Sequence, residues 1–256
     1  MNFRPYLLTE TNWKEVKETD FQLALLPWGA TEAHNYHLPY GTDNIQCNYI
    51  AEVAAAIAWE QGAKVIVLPT IPFGVNCQQL DIPLTINMNP STQMAVLGDV
   101  TESLAMNNIP KLVVLNGHGG NDFKQMIREF SYQYPDMIIC QVDWYKALTN
   151  WSELFDDTGD HAGEMETSIM MKIAPELVRP LSEAGAGKSK KLKFEGRREG
   201  WMWAPRNWTQ VTEDTGIGNP AKASIEKGEK CLDIITGKIA SFLVEMANSD
   251  SANLYI

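Results

Sequence analysis

The chain has 256 residues, enough for one large α/β domain or two small ones. Its 45% hydrophobic and 21% charged residues are ordinary for a folded protein, and a formal charge of -11 opposes nucleic-acid binding, which needs a basic surface. No apolar run approaches the roughly 20 residues that cross a bilayer, so no membrane partner is expected.

Short apolar runs alternate with longer helical segments. Runs over 21–27, 64–69, 111–116 and 137–142 read as strands covered on both faces, because their β-branched and leucine content leaves no polar side. Helices are expected over 43–61, 91–107 and 121–134, with Asp43, Ser91 and Asn121 as their caps. In the first, Ile50, Val53, Ala54 and Ile57 fall on one face at helical spacing. This alternation predicts a mostly parallel sheet with helices on both sides, and ligands then bind beyond the carboxyl ends of the strands. The later chain is less regular. A helix is expected to run from the 159–168 segment through residue 173, an exposed loop follows over 185–198, and a closing helix spans 221–247. No internal repeat or linker divides residues 1–256, which read as one domain.

Two loops at that edge carry chemistry. After the first strand, Glu32, His34, His37 and Asp43 crowd into twelve residues of a chain with four histidines. After the third, His118 stands in Asn116-Gly117-His118-Gly119-Gly120-Asn121, where glycines let a metal and a substrate approach the backbone. Zinc, manganese and ferrous iron all accept imidazole nitrogen with carboxylate oxygen. Glu32, His34, Asp43 and His118 can therefore supply two adjacent metal sites with Asp43 bridging, and two close cations activate a water and polarise a carbonyl. Spacing alone leaves a hydrogen-bonded loop histidine as the competing reading, and gives His37 a supporting role as readily as a ligand role.

A third constellation is Asp160-His161 with Glu164 and Glu166. His161 is suited to donate a proton to a leaving nitrogen. Glu164 reads as an acid complementing a helix dipole, and Glu166 either does the same or reaches a metal. Two other motifs fail. Gly187-Lys188-Ser189 lacks the first glycine of a phosphate loop, where Ser182 stands, and no G-x-S-x-G elbow occurs. Trp201, Trp203 and Trp208 are expected to pack in the core or at a subunit interface rather than cover a pocket. Cys47, Cys77, Cys140 and Cys231 form no C-x-x-C pair and read as buried, reduced thiols. Residues 1–16 show no signal-peptide pattern, so the expected location is the cytoplasm.

Glu32-Ala33-His34 with His37-Leu38-Pro39 and Gly41-Thr42-Asp43 resembles the opening signature of the creatininase (creatinine amidohydrolase) family. Asn116 to Asn121 resembles its second signature, and His161-Ala162-Gly163-Glu164-Met165-Glu166-Thr167-Ser168 its third. Gly216 to Pro220 with Glu226-Lys227-Gly228 extends the likeness almost to the C-terminus. The resemblance implies a three-layer α/β/α fold and a dinuclear centre of zinc with manganese, zinc or iron, held by Glu32, His34, Asp43 and His118. It implies a homo-oligomer, often a hexamer, and hydrolysis of a small-molecule amide or cyclic amide by metal-bound hydroxide. A ring diketone derived from inositol is the alternative substrate, and a non-catalytic binding subunit the alternative role. Creatininases carry a tyrosine and a metal-binding glutamate where this chain has Gly119 and Gly120, so Glu166 is expected to replace the missing ligand. The 74–79 segment departs as well, so Asn76, Gln78 and Gln79, with Gly119, Gly120 and Asp160, are expected to shape a different substrate pocket.

Overall fold

The computed structural model describes residues 3–157 and 159–255. Its elements run α1 (Trp13–Glu18), β1 (Leu23–Trp28), α2 (Thr42–Glu60), β2 (Val65–Val67), α3 (Pro90–Met106), β3 (Lys111–Asn116), α4 (Lys124–Gln133), β4 (Ile138–Asp143), α5 (Trp151–Leu154), α6 (Glu164–Ile173), α7 (Glu195–Glu199), α8 (Trp208–Val211) and α9 (Ile225–Asn248). The four apolar runs pair as one parallel sheet in the order β2-β1-β3-β4. Alternate residues serve opposite faces, as strand geometry requires. Leu23, Leu25, Val113 and Leu115 meet α2 and α9, while Ala24, Leu26, Leu112 and Val114 meet α3 and α4. The result is the expected three-layer arrangement with both sheet faces covered. Each buried leucine or valine contributes about 1.5–3 kcal/mol over leaving it in water.

The buried stripe of α2 is Cys47, Ile50, Ala51, Ala54, Ala55 and Ala58, whereas Val53 and Ile57 lie at its margin. Alanine at four of these six positions lets the helix approach the sheet and α9 closely. Lys111 begins β3 buried, and its ammonium donates to the carbonyls of Met246, Ala247 and Ser249. It thereby satisfies the orphan acceptors at the α9 C-terminus.

None of the three expected caps forms. α2 starts behind Gly41 and α4 behind Phe123, with no side-chain cap at either. α3 starts at Pro90, whose ring presets the first helical turn, and Ser91 is exposed within that turn. Asp43 and Asn121 are buried and bonded to distant residues, and those tertiary contacts outweigh a local cap. Of the cysteines, Cys47 and Cys231 are buried as expected, Cys140 is partly buried, and Cys77 is exposed on a loop. Among the described residues, no helix is long and apolar enough to cross a membrane.

Candidate metal centre

Register places the two motif loops side by side. Trp28 at the end of β1 pairs with Asn116 at the end of β3, so the chain leaves both strands at the same height. Gly117 then passes close to α2. A Cβ there would lie 2.9 Å from Cys47 Cβ and 3.2 Å from the Asp43 carbonyl, so only glycine fits. The two asparagines of the second motif hold the loop's shape. Asn116 accepts from the His118 backbone N–H and donates to the His118 carbonyl. Asn121 donates to Asn116 Oδ1 and accepts from the Val75 N–H and from Gln93.

Glu32, His34, Asp43, His118 and His161 are all buried and converge. His118 Nδ1 lies 2.8 Å from Glu32 Oε1 and 3.1 Å from Asp43 Oδ2. His34 Nε2 lies 3.0 Å from Asp43 Oδ1. The two oxygens of Asp43 thus face two different imidazoles. Three groups have donor atoms within 4.8 Å of one another: Glu32/Asp43/His118, His34/Asp43/Glu166 and Glu32/His34/His161. The first two groups share Asp43.

The other nitrogen of each ring is committed to a backbone carbonyl. His34 Nδ1 bonds Glu32 O at 3.1 Å, His118 Nε2 bonds Val75 O at 3.1 Å, and His161 Nε2 bonds Ala33 O at 2.8 Å. A carbonyl cannot donate, so each of those nitrogens carries the hydrogen. The remaining nitrogen of a neutral ring then aims a lone pair at carboxylate oxygens, an arrangement that requires a positive charge between them. That charge is a proton or a metal ion. Asp43 Oδ2, buried and without a hydrogen bond among the described residues, has the same requirement. The donor set therefore fits divalent cations of the zinc and manganese type.

Without metal, protons do this work. Burial pulls the His34 imidazole down, but the Asp43 carboxylate outweighs it and pushes the group up to about 10. His118 is likewise depressed by burial and raised further by Glu32 and Asp43, ending well above its ordinary value. Burial pushes Glu166 up to about 7. Metal must displace these protons. At pH 7.5, loading zinc into metal-free protein is expected to release close to two protons per chain, from His34 and His118, read as buffer-dependent calorimetric heat. The sign follows: a His34 raised to about 10 stabilises the metal-free fold fully below the unfolded value near 6.5, and that contribution fades as pH rises toward 10. Metal affinity accordingly rises over the same interval. Metal uptake without proton release would contradict this arrangement.

α6 delivers the third motif. His161 sits in the loop before it, its ring 4.2 Å from that of His34 and edge-on to Trp208 at 5.2 Å. Ala162 holds a left-handed backbone (φ 51) that turns the chain, and its N–H donates to Glu166 Oε2. Glu164 and Glu166 point apart. Glu166 joins His34 and Asp43, whereas buried Glu164 accepts the N–H groups of Asp156 and Asp157 and the ammonium of Lys227. Glu164 therefore pins the preceding loop, a larger role than complementing a dipole. His37 stays out of the ligand groups and bonds Thr167 Oγ1 on α6 at 2.8 Å.

A cavity of about 540 Å³ opens on Glu32, Asp43, His118, Gly119, Asp160, His161 and Glu166. A neighbouring one of about 290 Å³ shares Glu32, His118, Gly119, Asp160 and His161 and adds Gly120 and Gln78. Gly119 has open space where a side chain would be, but a Cβ on Gly120 would meet Val75 O at 2.3 Å and His118 Nε2 at 2.4 Å. Asn76, expected at the pocket, lines neither cavity. It is fully buried and donates to the Ile86 carbonyl, because its loop needs that bond to close. The tryptophans separate: Trp208 is buried against His161, while Trp201 and Trp203 are exposed, and Trp203 edges the smaller cavity. Sequence reasoning missed two residues here and the bond made by a third, Gln79. Gln79 donates to Glu32 Oε2, and Tyr145 and Arg206 line the larger cavity.

The family model described as creatinine amidohydrolase matches residues 9–243. A crystal structure of a Bacteroides fragilis protein, provisionally assigned as a creatinine amidohydrolase, is 42% identical over all of both chains with a TM-score of 0.92. The mycofactocin precursor peptide peptidase of Mycolicibacterium smegmatis is 27% identical over 218 residues, 81% of this chain and 78% of that protein. A manganese form of creatininase has the same fold, with a TM-score of 0.78 at 23% identity over 95% of this chain and 99% of its own. The chain belongs to the creatininase family of hydrolytic enzymes.

Proposed function

We propose that this protein hydrolyses the amide bond of a small molecule at a dinuclear centre held by Glu32, His34, Asp43, His118 and Glu166. One observation carries the reading: the two oxygens of Asp43 face two separate imidazoles, each completed by another carboxylate, Glu32 on one side and Glu166 on the other. Divalent cations of the zinc, manganese or iron type held by these residues would supply Lewis acidity and lower the pKa of a bound water toward neutrality.

The protein's own groups do the rest. Gln79 holds Glu32 from outside the ligand cluster and fixes its carboxylate plane. Gly119 leaves room for the scissile group above His118. His161 has Nε2–H tied to the Ala33 carbonyl, so Nδ1 is the atom that takes a proton from water and returns it to the leaving nitrogen. Burial and the neighbouring His34 hold this imidazole below its ordinary value, so it is neutral near pH 7 and ready to accept. Trp208 keeps the ring from swinging away. The proposal includes one domain, a homo-oligomer and a cytoplasmic location, the last supported by four unpaired thiols.

The test is turnover by zinc- or manganese-loaded protein of a panel of lactams, formamides, short peptides and cyclic diketones. Hydrolysis of an amide, abolished by a chelator and restored by metal, is the expected outcome. Turnover of the diketone alone would move the reaction to a carbon–carbon bond. Full metal content with no turnover of any compound would leave a binding subunit and overturn the reading.

A further inference from the structure

The segment from Lys188 to Arg206 holds seven of the chain's 21 basic residues and two acids, in a protein of net charge -11. Its lysines at 188, 190, 191 and 193 are exposed, as a solvated loop requires. Its arginines behave differently. Arg197 and Arg206 are half-buried, and both line the 290 Å³ cavity whose floor is Glu32, His118 and His161. Two guanidinium groups therefore share one cavity with the candidate metal ligands.

Arg206 is held in place. Its guanidinium carbon lies 4.6 Å over the Trp208 ring, and Trp208 in turn packs edge-on against His161. Stacking of this kind fixes the plane of the donor fork before anything binds. Only one nitrogen, Nη1, is engaged, by Asp160 at 2.9 and 3.2 Å. A guanidinium has five N–H donors, so the other nitrogens remain for a ligand. Arg197 has no carboxylate partner among the described residues, although acids outnumber bases in the chain. A half-buried cation left without a counter-charge, facing a cavity, is an electrostatic demand that an anionic ligand meets. Arg198 next to it behaves as an ordinary surface residue: it is exposed, donates to the Lys193 carbonyl, and does not line that cavity.

We infer that the substrate is an amide bearing a carboxylate, with the scissile carbonyl over the Glu32/His118 floor and the carboxylate received by Arg197 and Arg206. The inference rests on the metal-hydrolase reading and narrows its substrate class. Planar forks match a carboxylate through paired N–H···O bonds from two nitrogens, and Asp160 takes only Nη1 of Arg206, with both of its oxygens.

Calorimetric titration of the zinc-loaded full chain with three near-isosteric probes tests this: N-acetylglycine, N-acetylaminomethylphosphonate and the neutral N-acetylglycinamide. The carboxylate is expected to bind at least tenfold tighter than the neutral amide. Arg197→Gln and Arg206→Gln are each expected to cut that preference severalfold, while Arg198→Gln keeps it. Thermal melts and metal content confirm that each variant is folded and loaded. Equal binding of charged and neutral probes, or no binding of any, overturns the inference. So does a preference that survives both substitutions, which would place the anion on the metals. A phosphonate bound tighter than the carboxylate overturns the carboxylate in favour of a phosphate-bearing substrate. Failure of the hydrolase reading is distinguishable: selective, arginine-dependent binding without turnover of any amide sinks catalysis alone, and turnover of neutral amides without anion preference sinks this inference alone.

Discussion

Replacing Asp43 by alanine is expected to leave a folded protein that holds less than one metal ion per chain and has lost about 10³-fold or more in kcat/KM. The size follows from several kcal/mol of transition-state stabilisation that a metal centre supplies, about 4 kcal/mol per thousandfold. The breadth follows from geometry. Oδ1 lies 3.0 Å from His34 Nε2 and Oδ2 lies 3.1 Å from His118 Nδ1, so one truncation would remove a ligand from both candidate sites. Glu166→Gln should be milder, because Glu166 belongs to the His34 group only. It is expected to drop one metal of two. Plasma emission analysis of metal per chain, with the rate on any substrate found, separates the two variants. Two retained metals in Asp43→Ala would defeat the bridging assignment.

A second large effect is expected from Gly120→Glu, which introduces the carboxylate that the family resemblance leads one to expect where this chain has glycine. Restoration should not rescue or strengthen the centre. A Cβ at Gly120 would stand 2.3 Å from the Val75 carbonyl and 2.4 Å from His118 Nε2, the pair whose hydrogen bond orients the His118 ring. The loop must shift, that bond breaks, and Nδ1 no longer faces Glu32 and Asp43. Overpacking of backbone against backbone costs about 1–3 kcal/mol or more, and the loss of a carbonyl partner behind a metal-binding histidine costs about 10–100-fold in metal affinity. A thermal melt and a zinc titration check both parts. Tighter zinc binding in Gly120→Glu would show that the loop tolerates the family's glutamate and that Glu166 is redundant.

The sheet was legible in the sequence because strands buried on both faces need continuous apolar runs, and few other segments of this chain have them. The third strand agrees to the residue, Lys111 to Asn116. The meeting of the two motif loops was legible for the same reason, since parallel strands send both loops to one edge. Caps were not, because Asp43 and Asn121 have local and distant uses for the same oxygen and the sequence does not say which wins. Glu164 and Glu166 were separable in principle: two residues apart on a helix, they point to nearly opposite sides, so only one can face the ligands. Gln79 was named as a pocket residue, but nothing near it announces its bond to Glu32, 47 positions away. Arg206 and Trp208 escaped as site residues because the stack they make with His161 exists only in three dimensions.

Metal bound at the candidate ligand groups would also tie the chain together. Glu32, Asp43, His118 and Glu166 leave β1, enter α2, leave β3 and enter α6, so more than half the sequence lies between the first and the last. An unfolded chain keeps these groups far apart and offers a cation little. Occupancy therefore favours the native state by mass action, by RT ln(1 + [L]/Kd) for each site. The same ions that would activate water would act as removable cross-links, and the availability of metal in the surroundings would set how long the fold survives as well as how fast it turns over.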